Sequence, residues 1–172
     1  VGEAVVMPGT AYAEMALAAA RLWHGGEIVE IEQLEIRSPL ILSNSQTKVV
    51  RFSIDSPDRS FTIKSRDHLA DAAWTLHAVG RIPREPGAFP LQKVPLILPA
   101  RSPDFTGADH ERLTKAVGLD YGPAFRAIDT VWLESGSAYA RLRVPEVVEP
   151  ELERIHLHPA LLDCTFQLII QL

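Results

Sequence analysis

The sequence predicts an α+β chain of two units, each an apolar helix opened by proline and laid against antiparallel strands. Three observations point there: an alanine-rich helical stretch at 8–23, a series of short β-type runs after it, and a second apolar stretch at 159–172 that again begins at a proline. Between the units, Pro83, Pro86, Pro90, Pro95, Pro99 and Pro103 crowd residues 83–103. That density excludes both helix interior and central strand and predicts a surface linker between an N-terminal unit at 1–82 and a C-terminal unit at 104–172.

In the first helix Pro8 is the opening residue, and Tyr12, Met15, Ala16, Ala19, Ala20 and Trp23 recur at helical spacing. The alanines leave a slim face for close packing, and Gly25 and Gly26 end the helix. Runs at 27–36, 47–55, 59–66 and 72–82, separated by Ser, Asn, Asp and Pro clusters, predict an antiparallel meander. Beyond the linker, a short helix at 108–117 precedes "YGPAF", and the runs "AIDTVWLES" and "SAYARLRVP" read as a hairpin turning through Gly136. The closing helix takes up 159–172, with no strands after it.

Composition narrows the function classes. Of 172 residues, 47% are hydrophobic and 23% charged, enough for one sizeable core or two small ones. A net charge of −5 with no cluster of Lys and Arg beside aromatics argues against nucleic acid as a partner. No apolar run is long enough to span a membrane, and no basic stretch leads an apolar signal core. Cys164 is the sole cysteine, which excludes an intrachain disulfide and suits a cytoplasmic setting. Val1 is not a start methionine and the last residues fall inside an apolar helical pattern, so both ends read as cut from something longer.

Familiar chemical signatures are absent: no dinucleotide or phosphate-binding glycine loop, no G-x-S-x-G elbow, no H-E-x-x-H. The pair His156 and His158 lacks an obvious third metal ligand and reads as polar residues at a strand end before a helix. Asp67, His68, Asp71 and His77 read as a solvated turn leading into a strand. No metal site is predicted.

Asp163 stands apart, because it sits in an otherwise apolar helix with Gln167 four residues on, one turn away on the same face. Leu162, Phe166, Ile169 and Ile170 form an adjoining apolar face. Near a helix start the dipole favours a charged carboxylate by about 0.3–1 kcal/mol. Desolvation acts the other way and, at full burial, raises a carboxyl pKa by about 3–5 units. A buried helix therefore implies a protonated acid, which Gln167 can orient through a side-chain hydrogen bond. Such a group suits a reaction that delivers a proton to a leaving oxygen; a helix-start carboxylate that reaches solvent is the structural alternative.

These residues carry a resemblance. "HPALLDCTFQ" resembles the D-x-x-x-Q/H motif of polyketide synthase dehydratase domains, "YGPAF" resembles their Y-G-P-x-F motif, and "GEAVVMPGTAYAEMALAAA" is similar to the end of their H-x-x-x-G-x-x-x-x-P motif and the helix after it. The motifs fall in the family's order and the resemblance runs from Gly2 to Gln167. It implies a double hotdog, two antiparallel sheets each wrapped around a long helix, the second incomplete here. It also implies removal of water from a 3-hydroxyacyl thioester on an acyl carrier protein, with no metal or organic cofactor beyond the carrier's phosphopantetheine. By resemblance Asp163 matches the acid, Gln167 the residue that positions it and Tyr121 the motif tyrosine, while Gly2, Pro8, Gly9 and Phe125 match positions that line the substrate. Implied partners are the acyl carrier protein, neighbouring synthase domains and a second copy of the domain.

Gly2 has five residues before Pro8 where the family has four, and the family's histidine base falls two or three residues ahead of Val1. None of the six histidines in the chain takes that place. The same fold could instead shift a double bond or close an oxygen ring, or act as a non-catalytic structural module, and the residue at the histidine position separates the last of these from the others.

Overall fold

The structure is a computed structural model that describes residues 5–25, 30–43, 45–68, 73–84 and 95–172. The chain divides into two compact units, and the division falls between residues 89 and 90, inside the proline-rich stretch. The described parts of that stretch, 83–84 and 95–103, hold neither helix nor strand. Prolines without an N–H to donate account for this.

The N-terminal unit contains β1 (Val5–Val6), α1 (Gly9–His24), β2 (Glu32–Ile36), β3 (Ile41–Leu42), β4 (Lys48–Ile54), β5 (Ser60–Asp67) and β6 (Thr75–Arg81). Pro8, with extended backbone, caps the start of α1, and Gly25 ends it at φ 66°, a left-handed conformation that glycine adopts without penalty. The slim alanine face is the one that packs: Tyr12, Ala16 and Ala20 share a core with Phe61, Ile63, Ala78 and Ile82 of the sheet region. Phe52 stacks on Phe61 across β4 and β5 with ring centroids 5.1 Å apart. Met15 lies only at the margin of this core, and Trp23 lies outside it with the Arg59 guanidinium 4.9 Å over its ring.

All strands pair antiparallel, but the sheet is not a simple meander. Its order is β2-β6-β5-β4, so β2 lies against the far side of β6 rather than beside β4. Alternation of apolar and polar residues specifies which face of a strand is buried and not which neighbour it takes. The short strands β1 and β3 pair separately, Val5 opposite Leu42 and Val6 opposite Ile41. Two residues are too few to carry a period of two, and the sequence reading missed both strands. His77 lies in β6, inside the run expected as a strand, but it is buried rather than solvated, with Nε2 2.7 Å from Ser65 Oγ and Nδ1 3.1 Å from the Ser38 carbonyl oxygen. Asp67 closes β5 and pairs with Lys48 at 2.6 Å, while Asp71 and Gly26 lie outside the described residues.

The C-terminal unit contains β7 (Phe105–Thr106), α2 (Gly107–Ala116), a 3-10 turn at Pro123–Phe125, β8 (Ile128–Glu134), β9 (Ser137–Leu142), a second 3-10 turn at Glu149–Glu151, α3 (Pro159–Gln167) and a terminal 3-10 turn at Leu168–Gln171. The sheet runs β7-β8-β9, and β8 and β9 meet in a hairpin whose turn uses Gly136 at φ 73°. A capping box starts α2: Thr106 Oγ1 accepts from the Asp109 N–H at 3.2 Å, and the Thr106 N–H donates to Asp109 Oδ2 at 2.9 Å. Gly107 follows because a Cβ there would collide with the backbone carbonyl oxygen of Ile128. The absence of that one atom lets α2 lie directly on β8.

Helix α3 is shorter than the apolar pattern predicts, since its last turn tightens into the 3-10 form. Its buried face also differs from expectation. Ala160, Cys164 and Gln167 face the interior, with Cys164 packed against Ala127, Ile128 and Val131, whereas Phe166 and Ile169 are exposed. The small residues win because they allow α3 close to β8.

Candidate active site

Two segments of the C-terminal unit meet at the candidate site. Pro159 occupies the first turn of α3, where a missing N–H costs nothing, and the helix then carries Asp163 and Gln167 one turn apart. The other segment is "YGPAF", in which Pro123 tightens the chain into its 3-10 turn and leaves the Phe125 carbonyl pointing at α3. That oxygen accepts from Cys164 Sγ and from Gln167 Nε2, each at 3.3 Å. Tyr121 stacks on Phe125 with ring centroids 6.2 Å apart, and its carbonyl accepts from Arg126 Nε at 2.8 Å. The motif turn is thereby held to the helix that bears the carboxyl.

Gln167 is buried, and its Nε2 donates to Asp163 Oδ2 at 3.0 Å. Burial pushes the Asp163 carboxyl above the ordinary aspartate range, and the Gln167 hydrogen bond, which favours the ionised form, offsets only part of that. Tyr121 is also pushed up, first by burial and then by the negative charge of Asp163, so the phenol and the carboxyl sit within electrostatic reach. Cys164 is raised by burial and makes a weakly nucleophilic thiol.

The structure thus brings Tyr121, Phe125, Asp163 and Gln167 together in one unit. Pro8 and Gly9 stand at the start of α1 in the other unit, where a Cβ on Gly9 would meet Ile36 Cδ1 at 2.6 Å. Gly2 lies outside the described residues.

Sequence reading missed two members of the site. His110, buried on α2, has Nε2 3.0 Å from Gln167 Oε1, and Gln171 Nε2 is 3.0 Å from His110 Nδ1. The available signal was helical spacing: His110 and Thr114 are one turn apart and are the two buried residues of α2. Elsewhere, His158 caps α3 and pairs through Nε2 with Glu151 Oε2 at 3.0 Å. Among the described residues no group of three or more His, Cys, Asp or Glu side chains is gathered to hold a metal ion, and no helix is long and apolar enough to cross a membrane.

Two units that each combine a proline-opened helix with an antiparallel sheet match the double hotdog of solved dehydratase domains, of which this chain spans part, and comparison with known proteins agrees. A family profile described as polyketide synthase dehydratase domain matches residues 1–66, and one described as polyketide synthase dehydratase N-terminal domain matches residues 96–172. The chain belongs to the polyketide synthase dehydratase family. It is 30% identical over 171 residues to polyketide synthase GfsE of Streptomyces halstedii, covering 95% of this chain and 4% of that protein. A solved inactive mutant of the CurJ dehydratase, a histidine replaced by phenylalanine, superimposes with a TM-score of 0.82 at 28% identity over 99% of this chain and 59% of that one. An inactive mutant of the CurK dehydratase, an aspartate replaced by asparagine, gives a TM-score of 0.77 at 27% identity over 96% of this chain and 59% of that one. The chain therefore spans a small fraction of the curated synthase and less than two thirds of the solved dehydratase domains.

Proposed function

We propose that this chain supplies the acid half of a dehydratase site, removing water from a 3-hydroxyacyl thioester carried on the phosphopantetheine of an acyl carrier protein in a cytoplasmic polyketide synthase. The supporting observation is the Asp163 carboxyl, raised by burial and oriented by Gln167 Nε2 at 3.0 Å. A carboxyl that keeps its proton can give it to a departing hydroxyl. In the balanced step the C2–H bond breaks to a base, the C2=C3 bond forms, and the C3–O bond breaks as Asp163 protonates the oxygen, which leaves as water. The base, by family resemblance a histidine, takes a proton acidified by the thioester carbonyl. Tyr121, whose phenol is raised by burial and then by the Asp163 charge, is by family resemblance the motif tyrosine near the acid. No metal or organic cofactor enters these steps. Neighbouring synthase domains and a second copy of the domain are the proposed structural partners.

Asp163→Asn in the full-length synthase tests this. The amide keeps the shape of the acid and loses its proton, so formation of the 2,3-unsaturated thioester falls by about 10²–10⁴-fold while thermal unfolding persists. Near-full turnover in the folded variant overturns the assignment, and analysis of the products separates dehydration from double-bond migration and ring closure.

A further inference from the structure

We infer that His110 is a positioning residue for the acid: its Nε2–H, held by Gln171 from the other side of the ring, fixes the Gln167 amide in the one orientation that offers N–H to Asp163. This rests on the proposed role of Asp163.

The polarity of the chain of hydrogen bonds follows from its fixed end. The Phe125 carbonyl can only accept, so the Gln167 atom 3.3 Å from it is Nε2, which also faces Asp163 Oδ2 at 3.0 Å. Both amide hydrogens are then used. Gln167 Oε1 is left facing His110 Nε2 at 3.0 Å, and since a carbonyl oxygen cannot donate, Nε2 carries the imidazole proton. His110 Nδ1 is the acceptor, and it takes a hydrogen bond from Gln171 Nε2 at 3.0 Å. The order runs from Gln171 through His110 and Gln167 to Asp163, each link a donor meeting an acceptor. His110 and Gln167 are each 3% exposed, so water does not compete at the central link. Without the His110 donor, Oε1 would be a buried acceptor with no partner, and rotation of the amide would become favourable wherever it found another donor. A rotated amide sets its oxygen against the Phe125 carbonyl, which can only accept, and gives up the hydrogen bond that Nε2 donates to Asp163 Oδ2. The acid would then be held in the wrong place or not held at all.

The test uses isosteres in the full-length synthase. A glutamine amide nitrogen reaches about where Nε2 lies, whereas that of asparagine reaches only Nδ1. His110→Asn is expected to lower kcat by about tenfold, the weight of one net hydrogen bond, at unchanged KM. His110→Gln is expected to recover most of that loss. On a Gln167→Ala background His110→Asn is expected to cost nothing further, since the amide through which it acts is gone. Equal losses in the two isosteres, or the same tenfold loss on the Gln167→Ala background, overturn the inference in favour of a purely structural histidine. Should His110→Asn not fold, His110→Gln is read alone, since it restores a donor at the Nε2 position: kcat stays near that of the parent, and a tenfold loss in the folded His110→Gln variant overturns the inference. Asp163→Asn, run in parallel, keeps the two readings apart. Near-full turnover there removes the acid and the inference with it, whereas loss there with unchanged kcat in His110→Asn removes only the inference.

Discussion

Gln167 Nε2 lies 3.0 Å from Asp163 Oδ2 and 3.3 Å from the Phe125 carbonyl, so one amide group ties the candidate acid of α3 to the "YGPAF" turn. The carboxyl is thereby oriented by the same contact that joins two distant sequence motifs. Substitutions at this junction are expected to affect proton delivery and stability in separable ways.

Gln167→Ala loosens the acid without deleting it. The lost hydrogen bond had favoured the ionised carboxyl, so Asp163 keeps its proton to higher pH and the alkaline limb of the kcat/KM profile moves up. kcat falls less than in Asp163→Asn. His110 Nε2–H loses its acceptor in a buried site, at a cost of about 1–3 kcal/mol. Kinetics against pH and urea unfolding of the same variant check both effects. An alkaline limb that stays in place contradicts the account of Asp163.

Asp163→Asn changes the pH dependence of stability in a defined direction. The folded-state pKa of Asp163 is raised by burial, so the folded chain holds this proton where the unfolded chain has lost it. The native state is therefore penalised as pH rises above about 3.9, the ordinary aspartate value, and the penalty is complete above the folded pKa. Asparagine carries no such penalty. The stability of the variant relative to the parent is expected to improve from acid to neutral pH, measured by thermal unfolding below the range in which Cys164 and Tyr121 ionise. A difference that stays constant with pH contradicts the raised pKa.

Thr106→Ala and Gly107→Ala are adjacent and act differently. The first removes the capping box of α2 and costs about 0.5–2 kcal/mol, with the helix left in place. The second adds a Cβ against the Ile128 carbonyl, so α2 must shift away from β8, at a cost of about 1–3 kcal/mol. Because α2 carries His110, the shift also draws its donor away from Gln167, and Gly107→Ala is expected to lower kcat where Thr106→Ala does not. Urea unfolding and turnover of both variants check this, and equal kcat in the two would detach α2 from the site.

Much of this protein was decided by the local sequence. Pro8 and Pro159 open their helices because their missing N–H groups fall where a helix has no use for them. The β-type runs of the first unit pair as strands, and in β5 strict alternation buries one face. Asp163 and Gln167 meet because four residues make one helical turn. Other features required the packed chain. The place of β2 beyond β6 depends on which sheet edge was free, and the inward face of α3 depends on how closely Cys164 could approach Val131. His110 reaches Gln167 across 57 positions of sequence. No local period encodes that meeting: it exists only because α2 and α3 are packed in one unit, and because a buried amide with one end fixed by Phe125 must find a donor for the other.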